Sequence, residues 1–372
     1  MDRHELSRES RKHGLIEYWL ERKELEAPKQ KAIPFCWRWS DIYPLLKEAA
    51  KIVPVEEAHR RALLFANPGM HPRPFITSTL YGACSLYNPG ESAEVHRHMS
   101  SASRFALMGD GGFTTIEGEK CSMLRGDLII NPNGAWHDHG NEGSEPVIWV
   151  DVLDLPMAEA LNSSYFDFEY SEHSEQSNSA EPIARRTQTI TQPLDYSSRL
   201  YASGGIMPKF VSHKRGKGFG SPMYVYRWRD THRRLKELRD FEGDPRDGII
   251  VEYIDPVNGC AVLPTLSFRV QLMKPGFESQ WQRKTASTLF CVVQGKGRTE
   301  VDGEGFEWKE NDVFVVPSWH WYRNINTASD DLILFSVSDG PALEKLGFFR
   351  SQGRTKAGEI VDLVTDYRGI AE

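Results

Sequence analysis

Short alternating runs of hydrophobic and polar residues occupy two long stretches of the chain. Between about residues 76 and 155, runs such as STLYGACSLYNPGE and GDLIINPNGAWH are interrupted by Gly, Pro and Asn, and similar runs return from about residue 260. Short strands separated by turn residues are typical of an all-β sandwich or barrel. The pattern therefore predicts an all-β protein with two β regions.

The segments outside these stretches have a different character. LIEYWLERKELE, within the first 30 residues, has apolar positions at helical spacing, and residues 226 to 242 read as a polar helix. Residues 156 to 200 are rich in Ser and Glu and predict a long loop or linker. The alternating Trp37 and Trp39 predict an arm that packs either on the chain's own core or on a partner subunit.

The two β regions are related by an internal repeat. Residues 88 to 111 align with residues 274 to 297 without a gap, so that Pro89-Gly90 falls on Pro275-Gly276. The histidines do not repeat, because Gln282, Lys284 and Tyr322 stand opposite His96, His98 and His137. The repeat therefore predicts one functional module and one module that serves as scaffold.

Composition and charge exclude several classes of function. The 372 residues carry a formal net charge of −7, which gives no electrostatic case for binding nucleic acid or an anionic membrane. The chain has no apolar run of 18 residues, and its first residues are too polar for a secretory signal. The five cysteines are scattered and fit reduced thiols in a cytoplasmic protein.

Four of the twelve histidines form two pairs, His96 with His98 and His137 with His139. Alternate side chains of a strand share one face, so the rings of His96 and His98 point the same way. A third ring, from His137 on a neighbouring strand, would complete a three-histidine metal site. Such a ligand set suits Fe, Zn, Cu, Mn or Ni, and its open face indicates catalysis.

The residues around these histidines resemble the two signature motifs of the cupin superfamily. Residues 90 to 109 read G-x5-H-x-H-x10-G, and residues 126 to 141 read G-x5-P-x-G-x2-H-x3-N. Ala102 and Ser103 stand where the first motif usually carries a glutamate ligand, which disfavours oxalate oxidases and decarboxylases. The resemblance implies two jelly-roll barrels, a bicupin. The expected segments are an N-terminal helical arm (1–75), a metal-binding barrel (76–160), a linker with a helix (161–255), a second barrel without a metal motif (256–350) and a C-terminal tail (351–372).

From about residue 30 to 350 the chain resembles the gentisate 1,2-dioxygenase family, which includes salicylate and hydroxynaphthoate dioxygenases. The strings that carry this resemblance are AIPFCWRWSDI (32–42), RRALLFANPG (60–69), HRHMSSASRF (96–105), RGDLIINPNGAWHDHGN (125–141), WVDVLDLP (149–156) and NDVFVVPSWHWY (311–322). The family implies an Fe(II) enzyme that opens a 2-hydroxybenzoate ring with O2, between the carboxyl-bearing and hydroxyl-bearing carbons. Three histidines leave room on the iron for a chelating substrate and for O2.

The resemblance also implies roles for residues beside the metal. Arg60 matches an arginine of the family, and Arg104 lies at an even offset from His98. Either arginine could bind the substrate carboxylate. His139 resembles the family's acid/base histidine, and Asp151 is expected to orient a histidine by a hydrogen bond.

The substrate pocket departs from the family pattern. Tyr81 and Ser85 stand where the family usually carries a tryptophan and a glutamine, and Met99 replaces a small polar residue. These differences predict a ring that is larger than gentisate or forms fewer hydrogen bonds, such as a nitro- or halosalicylate substituted para to its hydroxyl. Gentisate and hydroxynaphthoate stay open as substrates.

Two other functions are compatible with the motifs. One is a different cupin dioxygenase, of the quercetinase or diketone-cleaving type, and the other is a non-enzymatic bicupin binding protein. The family resemblance further implies a homo-oligomer, commonly a tetramer.

Overall fold

Two antiparallel β barrels that lie side by side make up most of the protein. The computed structural model describes residues 2–21, 28–173, 181–210 and 220–363. The all-β bicupin fold expected from the sequence is therefore confirmed. The segment boundaries stay a prediction, and parts of the expected arm, linker and tail (residues 22–27, 174–180, 211–219 and 364–372) lie outside the described residues.

The helices are short and lie mostly outside the barrels. The α-helices of the described residues are α1 (Arg3–Lys12), α2 (Tyr18–Glu21), α3 (Trp39–Ile52), α4 (Val55–Ala58), α5 (Leu155–Ala160), α6 (Tyr196–Tyr201), α7 (Trp228–Leu238) and α8 (Gly340–Lys345), with a 3₁₀ turn at Pro68–Met70. The expected polar helix corresponds to α7. None of the described helices is both long enough and apolar enough to cross a membrane.

The first barrel consists of two antiparallel sheets with the strand orders β14-β8-β5-β10-β3-β2 and β11-β4-β9-β6-β7. Its strands are β2 (Ala62–Leu64), β3 (Tyr81–Tyr87), β4 (Ser92–His98), β5 (Ala102–Met108), β6 (Gly112–Ile116), β7 (Glu119–Met123), β8 (Leu128–Asn131), β9 (His137–Asn141), β10 (Val147–Leu153), β11 (Phe166–Asp167) and β14 (Val225–Tyr226). A separate hairpin joins β12 (Ser171–Glu172) and β13 (Ile183–Ala184).

The second barrel repeats this plan with the orders β1-β21-β18-β23-β16-β15 and β20-β19-β22-β17-β24-β25. Its strands are β1 (Phe35–Trp37), β15 (Ile249–Glu252), β16 (Ser267–Met273), β17 (Gln282–Lys284), β18 (Thr288–Gln294), β19 (Lys296–Val301), β20 (Glu304–Lys309), β21 (Val313–Val316), β22 (Tyr322–Asn326), β23 (Leu332–Ser338), β24 (Ser351–Arg354) and β25 (Ile360–Asp362). Sheets in both barrels therefore include strands from outside the two predicted barrel ranges.

The N-terminal arm is built into both barrels. Strand β1 pairs with β21 of the second barrel, whereas β2 pairs with β3 of the first. Trp37 packs against Phe65 with ring centroids 5.2 Å apart, and both Trp37 and Trp39 lie against the shared core. Of the two expectations for the tryptophans, packing on the chain's own core is therefore the one observed.

One hydrophobic core holds the two barrels together. Alternate residues of β3, β5, β16 and β23 turn away from their own barrel and meet in a single cluster. Phe105 of β5 stacks on Phe335 of β23, with centroids 3.9 Å apart and planes within 8°. Burial of this apolar surface fixes the barrels side by side.

Replacement of Phe105 by Ala is expected to destabilise the protein by about 3–5 kcal/mol, because it leaves a cavity in the shared core. Equilibrium unfolding in urea measures the loss. Phe210→Ala is the matched control, because that ring is 86% exposed and its removal is expected to change stability by less than about 0.5 kcal/mol. Equal effects of the two substitutions would contradict a shared core.

Candidate metal centre and active site

Strands β4 and β9 bring the three predicted metal ligands together. His96 and His98 lie on β4, and His96 is the register partner of His137 on β9. The turn before β9 contains Gly134 at φ 73°, a conformation that favours glycine. The Gly134 amide donates to the carbonyl of His98 at 2.8 Å, which ties the end of β4 to the strand that carries the third ligand.

The backbone orients all three imidazole rings in the same way. The Nδ1 atoms of His96, His98 and His137 lie 2.7, 2.7 and 2.9 Å from the carbonyl oxygens of Glu94, Ser100 and Ala135. A carbonyl only accepts, so each Nδ1 carries the proton and each Nε2 offers a lone pair. One ligand atom from each histidine lies within 4.8 Å of those of the other two.

These lone pairs fit a metal ion. Nε2 of His98 and Nε2 of His137 are buried and have no hydrogen-bond partner in the described protein. Unpartnered buried acceptors are costly, and an ion at their centre removes that cost. In the part of the chain that the structure describes, this cluster contains three histidines and no carboxylate. The residues therefore fit a metal held by three neutral nitrogens.

Burial keeps the three rings neutral. Desolvation lowers the pKa of His98 to about 3, and it lowers the pKa values of His96 and His137 well below the usual range. The nearby Arg60 guanidinium lowers the pKa of His96 further. Metal binding requires unprotonated imidazole, so the site is ready to bind near neutral pH without losing protons.

Arg60 reaches the metal-binding histidines from the segment that follows α4. Its guanidinium contacts Nε2 of His96, the atom whose lone pair would bind a metal ion. Arg60 is half-buried, so its end group can turn toward a ligand beside the metal. The structure thus brings this predicted substrate-binding residue to the site.

Arg104 lies in the barrel interior next to the histidines, by a route that differs from the prediction. It is not on the strand of His98, because β4 ends at His98 and β5 begins at Ala102. Arg104 instead pairs in register with Asp151 of β10. Its Nη2 lies 3.3 Å from Nδ1 of His139. The guanidinium is only a donor, so Nδ1 of His139 is unprotonated and Nε2 carries the proton.

His139 is connected on its other side to a tyrosine. Its Nε2 lies 2.9 Å from the hydroxyl oxygen of Tyr87, which accepts a hydrogen bond from the Nε2–H group. Burial, followed by the charge of Arg104, lowers the pKa of His139 well below its usual range. His139 is therefore a neutral ring held between Arg104 and Tyr87, with its centroid 5.7 Å from that of His96.

Asp151 contacts an arginine where a histidine was expected. Its carboxylate accepts from the Ser85 hydroxyl at 2.6 Å and from Nε1 of Trp149 at 3.0 Å, and it lies 3.3 Å from Nε of Arg104. Among the described residues no histidine hydrogen-bonds to it. Ser85 is thus engaged with Asp151, while the ring of Tyr81, at the start of the same strand, packs edge-on against Phe75.

Sequence reasoning missed several residues around the histidines. Tyr87 stacks on Trp149, with centroids 4.9 Å apart, as well as bonding His139. Phe166 and Phe168 lie 5.1 Å from His98 and 5.9 Å from His96 between centroids. The even offset of Tyr87 from Ser85 indicates that both side chains lie on the same face of the strand, so the sequence could have identified Tyr87. The two phenylalanines, in contrast, lie in a segment whose composition predicts a polar linker.

Comparisons with known proteins agree with this geometry. The model of the cupin domain matches residues 85–153 and 269–338. Gentisate 1,2-dioxygenase 1 of Aquipseudomonas alcaligenes is 37% identical over 341 residues, which cover 91% of this chain and 92% of that protein. The 5-aminosalicylate 1,2-dioxygenase of Comamonas sp. is 34% identical, over 87% of this chain and 83% of that protein.

The chain belongs to the gentisate and salicylate 1,2-dioxygenase family. A solved structure supports the same assignment. It is a mutant salicylate 1,2-dioxygenase from Pseudoaminobacter salicylatoxidans in complex with gentisate. The two folds superpose with a TM-score of 0.84 at 30% identity, covering 95% of each chain. Membership of this 1,2-dioxygenase family confirms the class expected from the sequence strings.

We expect the purified dioxygenase to hold about one metal ion per chain. His137→Ala should abolish this binding, since it removes one of the three ligands found among the described residues. Metal content after reconstitution, measured by mass spectrometry, tests the expectation. His13→Ala is the control, because His13 is exposed on the N-terminal arm. Stoichiometric metal in His137→Ala would contradict the assignment.

The metal-free protein is expected to lose stability as the pH falls below about 6.5. The unfolded His98 binds a proton near that pH, whereas the folded residue does so only near 3. Between about pH 6.5 and pH 3 the unfolded state therefore binds more protons than the folded state. Each unit by which the pH falls in this range lowers the free energy of unfolding by about 1.4 kcal/mol through His98. Urea unfolding at pH 7 and pH 5 measures the slope. His98→Asn should have a shallower slope, and equal slopes would contradict burial of a neutral His98.

Proposed function

We propose that this protein is an Fe(II)-dependent, ring-cleaving 1,2-dioxygenase for a 2-hydroxybenzoate, with O2 as co-substrate. The observation that carries the proposal is the group of three neutral imidazoles with an arginine pair beside it, in a chain of this family. His96, His98 and His137 would hold the iron. When bound, Fe(II) would supply chelation of the substrate and activation of O2.

The charges around the site support an anionic substrate. Arg60 and Arg104 both lie against the histidines, and Asp151 forms an ion pair with Arg104. A metal dication added to these side chains leaves a strongly positive site. A 2-hydroxybenzoate that ionises both its carboxyl and its phenol matches this charge. We assign the substrate carboxylate to the two arginines, which can bind it by charge-assisted hydrogen bonds.

Asp151 has a positioning role in this proposal. It holds Nε of Arg104 by an ion pair, and it is itself fixed by the Ser85 and Trp149 side chains. A guanidinium locked in this way loses little conformational freedom when it binds a carboxylate. Burial raises the pKa of Asp151 and the Arg104 charge opposes this rise.

His139 is the residue proposed to move a proton. Its Nε2–H faces Tyr87 and its neutral ring lies beside the metal ligands. A neutral imidazole can take up a proton as the substrate phenol ionises. The atom that would accept this proton is Nδ1, whose lone pair accepts a hydrogen bond from Arg104 in the absence of substrate. Tyr87 then holds the ring in place from the other side.

The side chains of the pocket favour a ring with an apolar or weakly bonding 5-substituent. Ser85 already donates its hydroxyl proton to Asp151 and offers no donor to a ring substituent. Phe166 and Phe168 add apolar surface beside the histidines. We therefore infer a 5-substituted salicylate, such as a nitro- or halosalicylate, ahead of gentisate. The homotetramer and the cytoplasmic location stay predictions from the sequence.

The protein loaded anaerobically with Fe(II) is expected to consume O2 with at least one of a panel comprising gentisate, salicylate, 5-nitro-, 5-chloro- and 5-aminosalicylate and 1-hydroxy-2-naphthoate. An oxygen electrode and the loss of aromatic absorbance measure the reaction. The 5-substituted salicylates should have a higher kcat/KM than gentisate, because the Phe166 and Phe168 rings beside the histidines favour a substituent that does not need a hydrogen bond.

His137→Ala, which lacks a metal ligand, is the inactive control for this panel. Arg104→Met should lower kcat/KM by about 10- to 100-fold, the effect of losing one charge-assisted hydrogen bond. Full activity of Arg104→Met would favour a cupin dioxygenase whose substrate has no carboxylate. If the iron-loaded protein consumes none of the acids, the proposed substrate class is wrong.

A further inference from the structure

The second barrel contains a lysine at a position equivalent to a metal ligand. Gln282 of β17 pairs in register with Tyr322 of β22, just as His96 pairs with His137 in the first barrel. Lys284 lies two residues after Gln282, as His98 lies two residues after His96. The interior of this barrel therefore places an ammonium group where the first barrel places an imidazole.

A cleft leads from this lysine to the surface. Its outer part has a volume of about 380 Å³, within the range of roughly 300–1,000 Å³ that is typical of small-molecule sites. The outer part shares five lining residues with a narrow inner end, namely Asp247, Ser267, Arg269, Lys284 and Ser338. The open space of the second barrel thus lies in the outer part of the cleft, whereas the inner end holds only about 10 Å³.

Strand alternation explains the polar character of the inner end. On β16, Phe268, Val270 and Leu272 pack in the core between the barrels. Ser267, Arg269 and Gln271 therefore point the other way and line the inner end of the cleft. Phe290, at the position equivalent to Arg104, supplies an apolar surface there.

Two donors at the inner end lack partners. Nζ of Lys284 makes no hydrogen bond or ion pair with the residues that the structure describes. The Ser267 hydroxyl is buried, 1% exposed, and has no hydrogen-bond partner there either. A buried donor without a partner, such as the Ser267 hydroxyl, is costly, and an acceptor bound beside it and Lys284 would remove that cost.

The cleft carries charges of both signs, with Arg246 among its outer lining residues, and this balance favours a ligand with one negative charge over a dianion. Nε of Arg269 donates to the Glu252 carboxylate at 3.0 Å. The Asp247 carboxylate accepts from the side-chain amide of Gln282 at 3.1 Å. Asp244, Glu344 and Asp362 line the outer part of the cleft. These acids would repel a phosphate dianion, whereas a single carboxylate in the outer part of the cleft would lie beside Lys284 and Arg269, which line both parts.

We propose that the second barrel binds a small monocarboxylate, whose carboxylate lies between Lys284 and Arg269 and whose body extends into the outer cleft. Desolvation lowers the pKa of the Lys284 ammonium, and Asp247 only partly offsets this. A bound carboxylate restores the charged form. The site is separate from the three-histidine centre and uses none of its residues.

Calorimetric titration of benzoate, acetate and inorganic phosphate into the full-length chain tests the proposal. The background is His137→Ala combined with Arg60→Met and Arg104→Met, which removes metal-dependent and arginine-dependent carboxylate binding in the first barrel. Benzoate and acetate should bind and phosphate should not. Adding Lys284→Met should weaken benzoate binding by about tenfold or more, whereas Lys284→Arg should keep it within about threefold. Lys309→Met, at an exposed lysine of the same barrel, is the matched control.

Absence of carboxylate binding, tighter binding of phosphate than of benzoate, or equal affinity with and without Lys284→Met would each overturn the proposal. If Lys284→Met unfolds, Lys284→Gln takes its place in the same titration. A second measurement uses NMR of ¹³C-methylated lysines, where the pKa of Lys284 should rise on addition of benzoate. A Lys284 pKa that does not respond would contradict the site.

Discussion

The burial of three imidazoles, two of which have an Nε2 without a hydrogen-bond partner among the described residues, is the constraint on which the site depends. Nδ1–H of each ring donates a hydrogen bond to a backbone carbonyl two residues away. The backbone itself therefore fixes the direction in which Nε2 points. Removal of water from these nitrogens is unfavourable unless another centre takes up the lone pairs. The barrel therefore stabilises an arrangement that a metal ion completes, and desolvation keeps the rings unprotonated.

The polar residues beyond the histidines form a connected network. Ser85 and Trp149 hold Asp151, Asp151 holds Arg104, and Arg104 contacts His139, which in turn contacts Tyr87. These contacts position Arg104 beside the metal-binding histidines before any ligand arrives.

The two barrels share one scaffold but differ in the residues that face their interiors. Hydrophobic residues that face the partner barrel are retained in both, since the stacking of Phe105 on Phe335 and the shared core need them. Positions whose side chains face the interior of a barrel take no part in this packing between the barrels. The first barrel places three histidines and Arg104 there, whereas the second places Gln282, Lys284, Tyr322 and Phe290. Packing between the barrels thus leaves each interior free to differ in chemistry.

The sequence by itself determined the fold class, the duplication and the metal-binding histidines. Period-two alternation defines strands, and glycine and proline define turns, so the rings of His96 and His98 had to share a face. Only the tertiary structure decided which strands became neighbours. It put Arg104 opposite Asp151, tied Asp151 to Ser85, and brought Phe166 and Phe168 from a polar segment to the histidines. These contacts join residues distant in sequence, and the spacing of residues within one strand does not specify which other strand becomes its neighbour.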